Sequence, residues 1–162
     1  MIKKQQNRKI SPMMKREALT LVKGVEYEYF LNGIFKFNIS KLNEYIDKHE
    51  EEFEVVKIDV KDYYNTFVNT DLNPEYMEAA NLNRPIILAE IAPDRLYHSY
   101  PGISEDYYSR GYNLIDGHHR LAKAAETGLK ELSVYIVRME QHIQFMSKGF
   151  EAYVDYWNAK LE

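Results

Sequence analysis

A chain of 162 residues, 45% hydrophobic and 28% charged, has room for one domain with a real core and has the composition of a soluble globular protein. No apolar run approaches the ~20 residues that span a bilayer, and the start Met1-Ile2-Lys3-Lys4 lacks the apolar segment of a secretory signal, so the expected compartment is the cytoplasm. Cysteine is absent, which excludes disulfides, thiolate zinc sites and thiol catalysis.

The net charge of −4 divides into +6 over residues 1–23 and −10 over the rest. An acidic body is a poor general partner for nucleic acid. The basic arm reads as a solvated terminus, with contact to an acidic partner as the alternative. Residues 1–52 form an N-terminal extension of arm, β-hairpin and helix. Val25 to Ile39 has the hairpin pattern, with Asn32-Gly33 supplying the positive φ angles of a type I′ turn. Ser40 is the expected N-cap. Leu42, Tyr45, Ile46 and His49 then recur at helical spacing. In this reading His49 finishes the apolar face, and Glu50-Glu51-Glu52 is a solvated run at the helix end.

Residues 53–138 make the central domain. Phe53 to Val60 suggests a strand, residues 61–72 a short helix or loop, and Pro74 the first turn of a helix reaching about Leu82. Ile86 to Ile91 reads as a buried strand. Residues 92–111 form a long connection rich in Tyr, Ser, Asp and Gly; connections of this length are usually functional or mobile. If it folds over the motif that follows, Tyr97, His98, Tyr100, Tyr107, Tyr108 and Arg110 would act as a lid. Leu132 to Val137 is a further strand. From Met139 to the end the chain is expected to be a C-terminal helical segment (139–162). Its stripe of Phe150, Tyr153, Val154 and Trp157 docks on the body, with a dimer interface as the alternative.

The most informative stretch is Tyr112-Asn113-Leu114-Ile115-Asp116-Gly117-His118-His119-Arg120, followed by good helix formers closed by Gly128. It reads as strand, tight turn and helix. Residues 118–120 then lie on the first helical turn, where N–H groups lack intrahelical partners and the helix dipole is positive. Such a start binds phosphate.

These residues resemble the ParB/sulfiredoxin-like superfamily over residues 53–138. The resemblance has three parts in order: the opening strand Val55-Val56-Lys57-Ile58-Asp59-Val60, the strand Arg84-Pro85-Ile86-Ile87-Leu88 after a helix, and the Asp116–Arg120 motif with its helix, Gly128 and closing strand. It implies an α+β fold, a small mixed sheet flanked by helices, here with the N-terminal hairpin-helix extension and the C-terminal helices. In sulfiredoxins the matching motif reads Gly-Cys-His-Arg. His118 stands at the cysteine position, which excludes sulfinic acid reduction by that route. In chromosome-partitioning ParB proteins it reads Gly-Glu-Arg-Arg and handles CTP. Here His118 and His119 replace Glu and Arg, and no helix-turn-helix is recognisable after residue 138. The free serine kinase-type branch shares Asp-Gly-His-His-Arg as it stands.

The resemblance implies a nucleotide-phosphate site for a nucleoside tri- or diphosphate (ATP/ADP or CTP) with Mg²⁺. The protein is then expected to be a phosphotransferase or hydrolase acting on a small molecule. The alternative is a non-catalytic, nucleotide-responsive regulatory or DNA-associated ParB-like module. Gly117 would let backbone approach a phosphate, and Arg120 offers a planar fork of donors to it. His118 and His119 could donate to phosphate or take part in catalysis. Asp116 could cap the helix, ligate Mg²⁺ or act as a base, and with the two histidines it could form a zinc site. Glu90, Asp94 and Asp59 are the further candidate carboxylates for acid–base work. Oligomeric state is left open.

Overall fold

The computed structural model describes residues 8–12, 21–33, 35–67, 72–93 and 111–161. The expected lid, with its four tyrosines, His98 and Arg110, lies outside the described residues, and so does Asp94. The chain is an α+β protein, and its described residues form two sheets.

The first sheet begins with β1 (Tyr29–Asn32) and β2 (Phe35–Asn38), paired antiparallel with Asn32 opposite Phe35. The two-residue connection is therefore positions 33–34, one residue later than the expected Asn-Gly turn. Gly33 still supplies a positive φ, of 64°. Helix α1 (Ile39–Lys48) follows at once. Its N-cap is Asn38 rather than Ser40: Asn38 Oδ1 accepts the Lys41 N–H at 2.9 Å, whereas Ser40 Oγ accepts the Glu28 N–H at 2.7 Å. Leu42 and Ile46 are buried as the periodicity implies, and His49 is a half-exposed ring stacked on Tyr45.

The second sheet has four strands in the order β3 (Glu54–Asp59), β6 (Glu131–Val137), β4 (Ile86–Glu90) and β5 (Tyr112–Asp116). The β4–β6 pair is parallel and the other two are antiparallel. Helices α2 (Val60–Phe67), α3 (Pro74–Ala79) and α4 (His118–Glu126) lie between the strands in sequence. Helix α3 stops at Ala79, short of Leu82, and Asn73 caps it by accepting the Glu75 N–H at 2.9 Å.

Every residue of β4 is buried, which explains why this strand is a continuous apolar run rather than an alternating one. Its side chains still alternate between faces. Ile86 and Leu88 join Val134, Leu114, Leu121 and Ala124 in one core. Ile87 and Ala89 join Tyr135, Val137, Phe37, Ile46 and Trp157 in the other.

The C-terminal segment is not one helical run. Helix α5 (Met139–His142) and a 3₁₀ turn lead into the short strand β7 (Met146–Lys148), then α6 (Phe150–Lys160). Strand β7 pairs antiparallel with β2, so the C-terminal segment completes the N-terminal sheet. Gly149, at φ 86°, makes the turn into α6. Phe150, Tyr153, Val154 and Trp157 are all buried inside the chain, so this stripe offers no surface to a second copy.

The basic arm is not wholly solvated, since residues 8–10 dock on α6. Ile10 is buried, its N–H donates to Asn158 Oδ1 (2.8 Å), and its carbonyl accepts from Asn158 Nδ2 (2.7 Å). The Arg8 guanidinium lies 5.1 Å over the Trp157 ring and pairs with Glu140 and with Glu90, which is only 1% exposed. Glu90 also accepts from Arg138 Nη1 (3.1 Å) and the Met139 N–H (3.2 Å). Its backbone carbonyl pairs with Nε2 of the buried His142 at 2.6 Å.

Removing Arg8 leaves the buried Glu90 carboxylate with Arg138 and the Met139 N–H as partners and strips the contact over Trp157. Arg8→Ala is expected to lose about 2 kcal/mol, a fall in Tm of about 4–8 °C by thermal denaturation. Burial also holds the His142 pKa below its ordinary value, against the opposing pull of Glu90. The unfolded chain therefore binds more protons as pH falls through about 6.5, and stability must drop there. In urea titrations between pH 7.5 and 5.5, His142→Gln is expected to be less stable at pH 7.5 but to lose less on acidification than wild type. Equal losses in the two proteins would show that His142 does not contribute.

Candidate functional site

Strand β5 delivers Asp116 as its last residue, opposite Ile87 of β4. The chain must then reverse into α4, and Gly117 does this at φ 110°. A Cβ there would come within 2.4 Å of Ile86 Cγ2 and 2.7 Å of Ile86 Cβ. The glycine is thus required by close packing of the turn on β4, a reason separate from ligand access. Gly117 is also the N-cap residue, so no side chain caps α4, and Asp116 does not fill that role. The first helical bond runs from the Leu121 N–H to the Gly117 carbonyl. The N–H groups of His118, His119 and Arg120 precede that bond.

Asp116 and Arg120 instead hold each other. Asp116 Oδ2 accepts from Arg120 Nη2 and from Asn43 Nδ2, both at 3.0 Å. Arg120 Nη1 donates to the carbonyls of Arg84 (3.1 Å) and Pro85 (2.9 Å), and its side chain is only 10% exposed. Desolvation lowers the Arg120 pKa, and the Asp116 carboxylate offsets this. The guanidinium expected to reach for phosphate is turned inward and ties the turn to the start of β4. Asn43, on α1, extends the network: its Oδ1 accepts from Arg84 Nη2 at 2.6 Å, and Arg84 Nη1 reaches Asp47 at 2.8 Å. The N-terminal helix thereby clamps the motif.

The two histidines point to different tasks. His118 is half-buried, and burial lowers its pKa more than Asp116 raises it, which favours the neutral ring. His119 Nε2 accepts the Asn73 N–H at 3.1 Å. That bond requires a lone pair on Nε2, which places the neutral ring's proton on Nδ1. The His119 ring also contacts Tyr76 perpendicularly, with centroids 5.5 Å apart.

All five motif residues line one open cleft of about 590 Å³. Its other walls come from the hairpin (Glu28, Tyr29, Phe30) and from the α3 region (Tyr76, Asn81, Arg84). Glu28 was not foreseen. Desolvation and the nearby Asp116 raise its carboxyl pKa, while Arg120 pulls it down. Its backbone is pinned to the start of α1 by bonds from the N–H groups of Ile39 (2.8 Å) and Ser40 (3.3 Å) to its carbonyl. A glutamate at the start of the hairpin segment carries no motif, so only the fold could place it near Asp116.

Glu90 is not in the cleft. It lies opposite Tyr112, at the other end of the β4–β5 ladder from Asp116 and roughly 10 Å or more along it. It is committed to the buried ion cluster. Asp59 is exposed and its carboxylate accepts the Asp62 N–H at the start of α2. Among the described residues, Asp116, His118 and His119 do not converge as a three-ligand metal set; His49, Glu51 and Glu52 on the surface do. No family model, curated protein or solved structure matches the chain.

Gly117 and Gly128 both have positive φ, but a Cβ at Gly128 would meet nothing within 4 Å. Gly128→Ala is expected to cost about 1 kcal/mol from backbone strain alone. Gly117→Ala should cost at least about 1 kcal/mol more, because the clash with Ile86 adds to that strain. Urea denaturation of the two variants side by side measures the difference.

Proposed function

We propose that the cleft at the start of α4 binds the phosphate of a nucleoside di- or triphosphate, and that the protein is a nucleotide-dependent phosphotransferase or hydrolase acting on a small molecule. The observation that carries this reading is the uncapped start of α4 in the cleft wall, with the His118 and His119 rings beside it. Unpaired N–H groups and the helix dipole favour an anion there. His119, its Nε2 already accepting the Asn73 N–H, adds an Nδ1–H donor, and His118 adds a second imidazole. The resemblance of Asp116–Arg120 to the free serine kinase-type branch of the ParB/sulfiredoxin-like superfamily supports the same reading.

Asp116 and Glu28 supply the oxygen donors that Mg²⁺ prefers, and both line the cleft. Asp116 Oδ2 is engaged by Asn43 and Arg120, so its Oδ1 is the atom that would hold the ion beside the phosphate. Bound Mg²⁺ would neutralise phosphate charge. The chain's own contribution is to fix the phosphate on the helix start and to set the half-buried His118 imidazole beside it. Proton transfer from an acceptor falls to Asp116 or Glu28, the two carboxylates among the described lining residues.

The inward commitment of Arg120 favours a second reading, a nucleotide-responsive module that binds without turnover. Phosphate release separates the two readings.

A thermal-shift series with ATP, ADP, CTP, GTP and pyrophosphate, with and without Mg²⁺, tests the site. Ligand at one hundred times its Kd stabilises the fold by about 2.7 kcal/mol, which corresponds to about 5–10 °C in Tm. A shift that shrinks in His118→Ala is the expected result. No shift with any of the five, or one unchanged in His118→Ala, overturns the assignment. Binding without phosphate release across a panel of small-molecule acceptors selects the second reading.

A further inference from the structure

We infer that the cleft takes a planar heteroaromatic base against Tyr76, so that its ligand is a nucleotide rather than a bare polyphosphate. This rests on the phosphate reading of the α4 start and adds a separate subsite to it. Tyr76 is 62% exposed, more than any other large hydrophobic side chain among the described residues except Leu31 at 67%. Unlike a residue on the outer surface, it lines the cleft. A solvent-facing ring gains from being covered, and an aromatic face in a ligand cleft is a sequence-tolerant platform for nucleobases.

Tyr76 stands on a helix that is held in place. Asn73 caps the start of α3 while its own N–H is bonded to His119. At the other end, Lys123 Nζ of α4 donates to the carbonyls of Glu78 (2.8 Å) and Ala80 (2.9 Å). Residues of α4 thus grip α3 at both ends, and the platform is ordered before any ligand arrives. The ring meets His119 perpendicularly, at 5.5 Å and 87°, and its exposure shows that ring surface remains accessible.

The same imidazole joins the two subsites. His119 lies on the first turn of α4, where the phosphate is proposed to sit, and its ring borders Tyr76. A phosphate at the helix start and a base on Tyr76 would flank the same His119 ring, whose centroid lies 5.5 Å from that of Tyr76. Tyr29 and Phe30 supply further aromatic surface in the cleft wall. The Lys36 ammonium lies 4.2 Å from the Tyr29 ring centroid and occupies part of that ring, leaving Tyr76 as the better platform.

Calorimetric titration of ATP, ADP, CTP, GTP and inorganic tripolyphosphate into wild type, Tyr76→Ala and Tyr76→Phe tests this, with circular dichroism to confirm that the exposed substitutions leave the fold intact. At least one nucleotide is expected to bind more tightly than tripolyphosphate. Tyr76→Ala should weaken that nucleotide at least about fivefold, the lower end of a lost base–aromatic stack, and leave tripolyphosphate unchanged. Tyr76→Phe should retain wild-type affinity. Tripolyphosphate binding as tightly as every nucleotide, or equal losses of both in Tyr76→Ala, overturns the base subsite while the phosphate reading stands. If none of the five binds, the phosphate reading fails and takes this inference with it.

Discussion

The rest of the molecule depends on β4 being buried on both faces. A strand with no polar side can be stable only if each face is covered by its own layer. One layer is α2 and α4, packed on Ile86 and Leu88. The other is assembled from distant pieces of chain: the hairpin, α1, β7 and α6 close over Ile87 and Ala89. This requirement gives the N-terminal extension and the C-terminal segment a common purpose, since neither could cover that face alone.

The two layers also determine where chemistry can occur. At the Glu90 end of β4, Arg8 and Arg138 cover the carboxylate, which at 1% exposed has no access to substrate. At the Ile86 end, the Asp116–Gly117 turn comes so close to the strand that only glycine fits, and the start of α4 opens into the cleft. Asp116, Arg120, Asn43 and Arg84 brace that turn from both layers. Rigid support of this kind holds binding groups in a fixed geometry. It also explains why the motif's arginine is turned away from solvent.

The candidate site is therefore composite. The motif supplies the helix start and the imidazoles, α1 supplies the clamp, the hairpin supplies Glu28 and aromatic surface, and α3 supplies Tyr76. His119 connects two of these parts, α3 and the motif, with Nε2 bonded to the N-cap residue of α3, its ring perpendicular to that of Tyr76, and its backbone on the first turn of α4.

Local pattern alone was enough for the strand–turn–helix at residues 112–126, the alternation and apolar runs of the central strands, and the stripe of α6. Each of these rests on residue spacing or on a glycine, properties that act over a few positions. The break at Met146–Lys148 was not legible, because a three-residue strand forms only when β2 is alongside to accept its hydrogen bonds. Nor was the docking of Arg8 and Ile10, whose partners on Glu90, Trp157 and Asn158 lie at least 82 residues away in sequence. The capping of α1 turned on whether Ser40 was already taken by Glu28, a competition between neighbouring acceptors that residue type does not decide. The sequence by itself determined the α+β class and the turn that carries the candidate site. Only tertiary structure decided that Glu90 is a core ion partner, that Arg120 braces rather than reaches, and that Glu28 and Tyr76 border the same cleft, because burial and long-range pairing are properties of the packed chain.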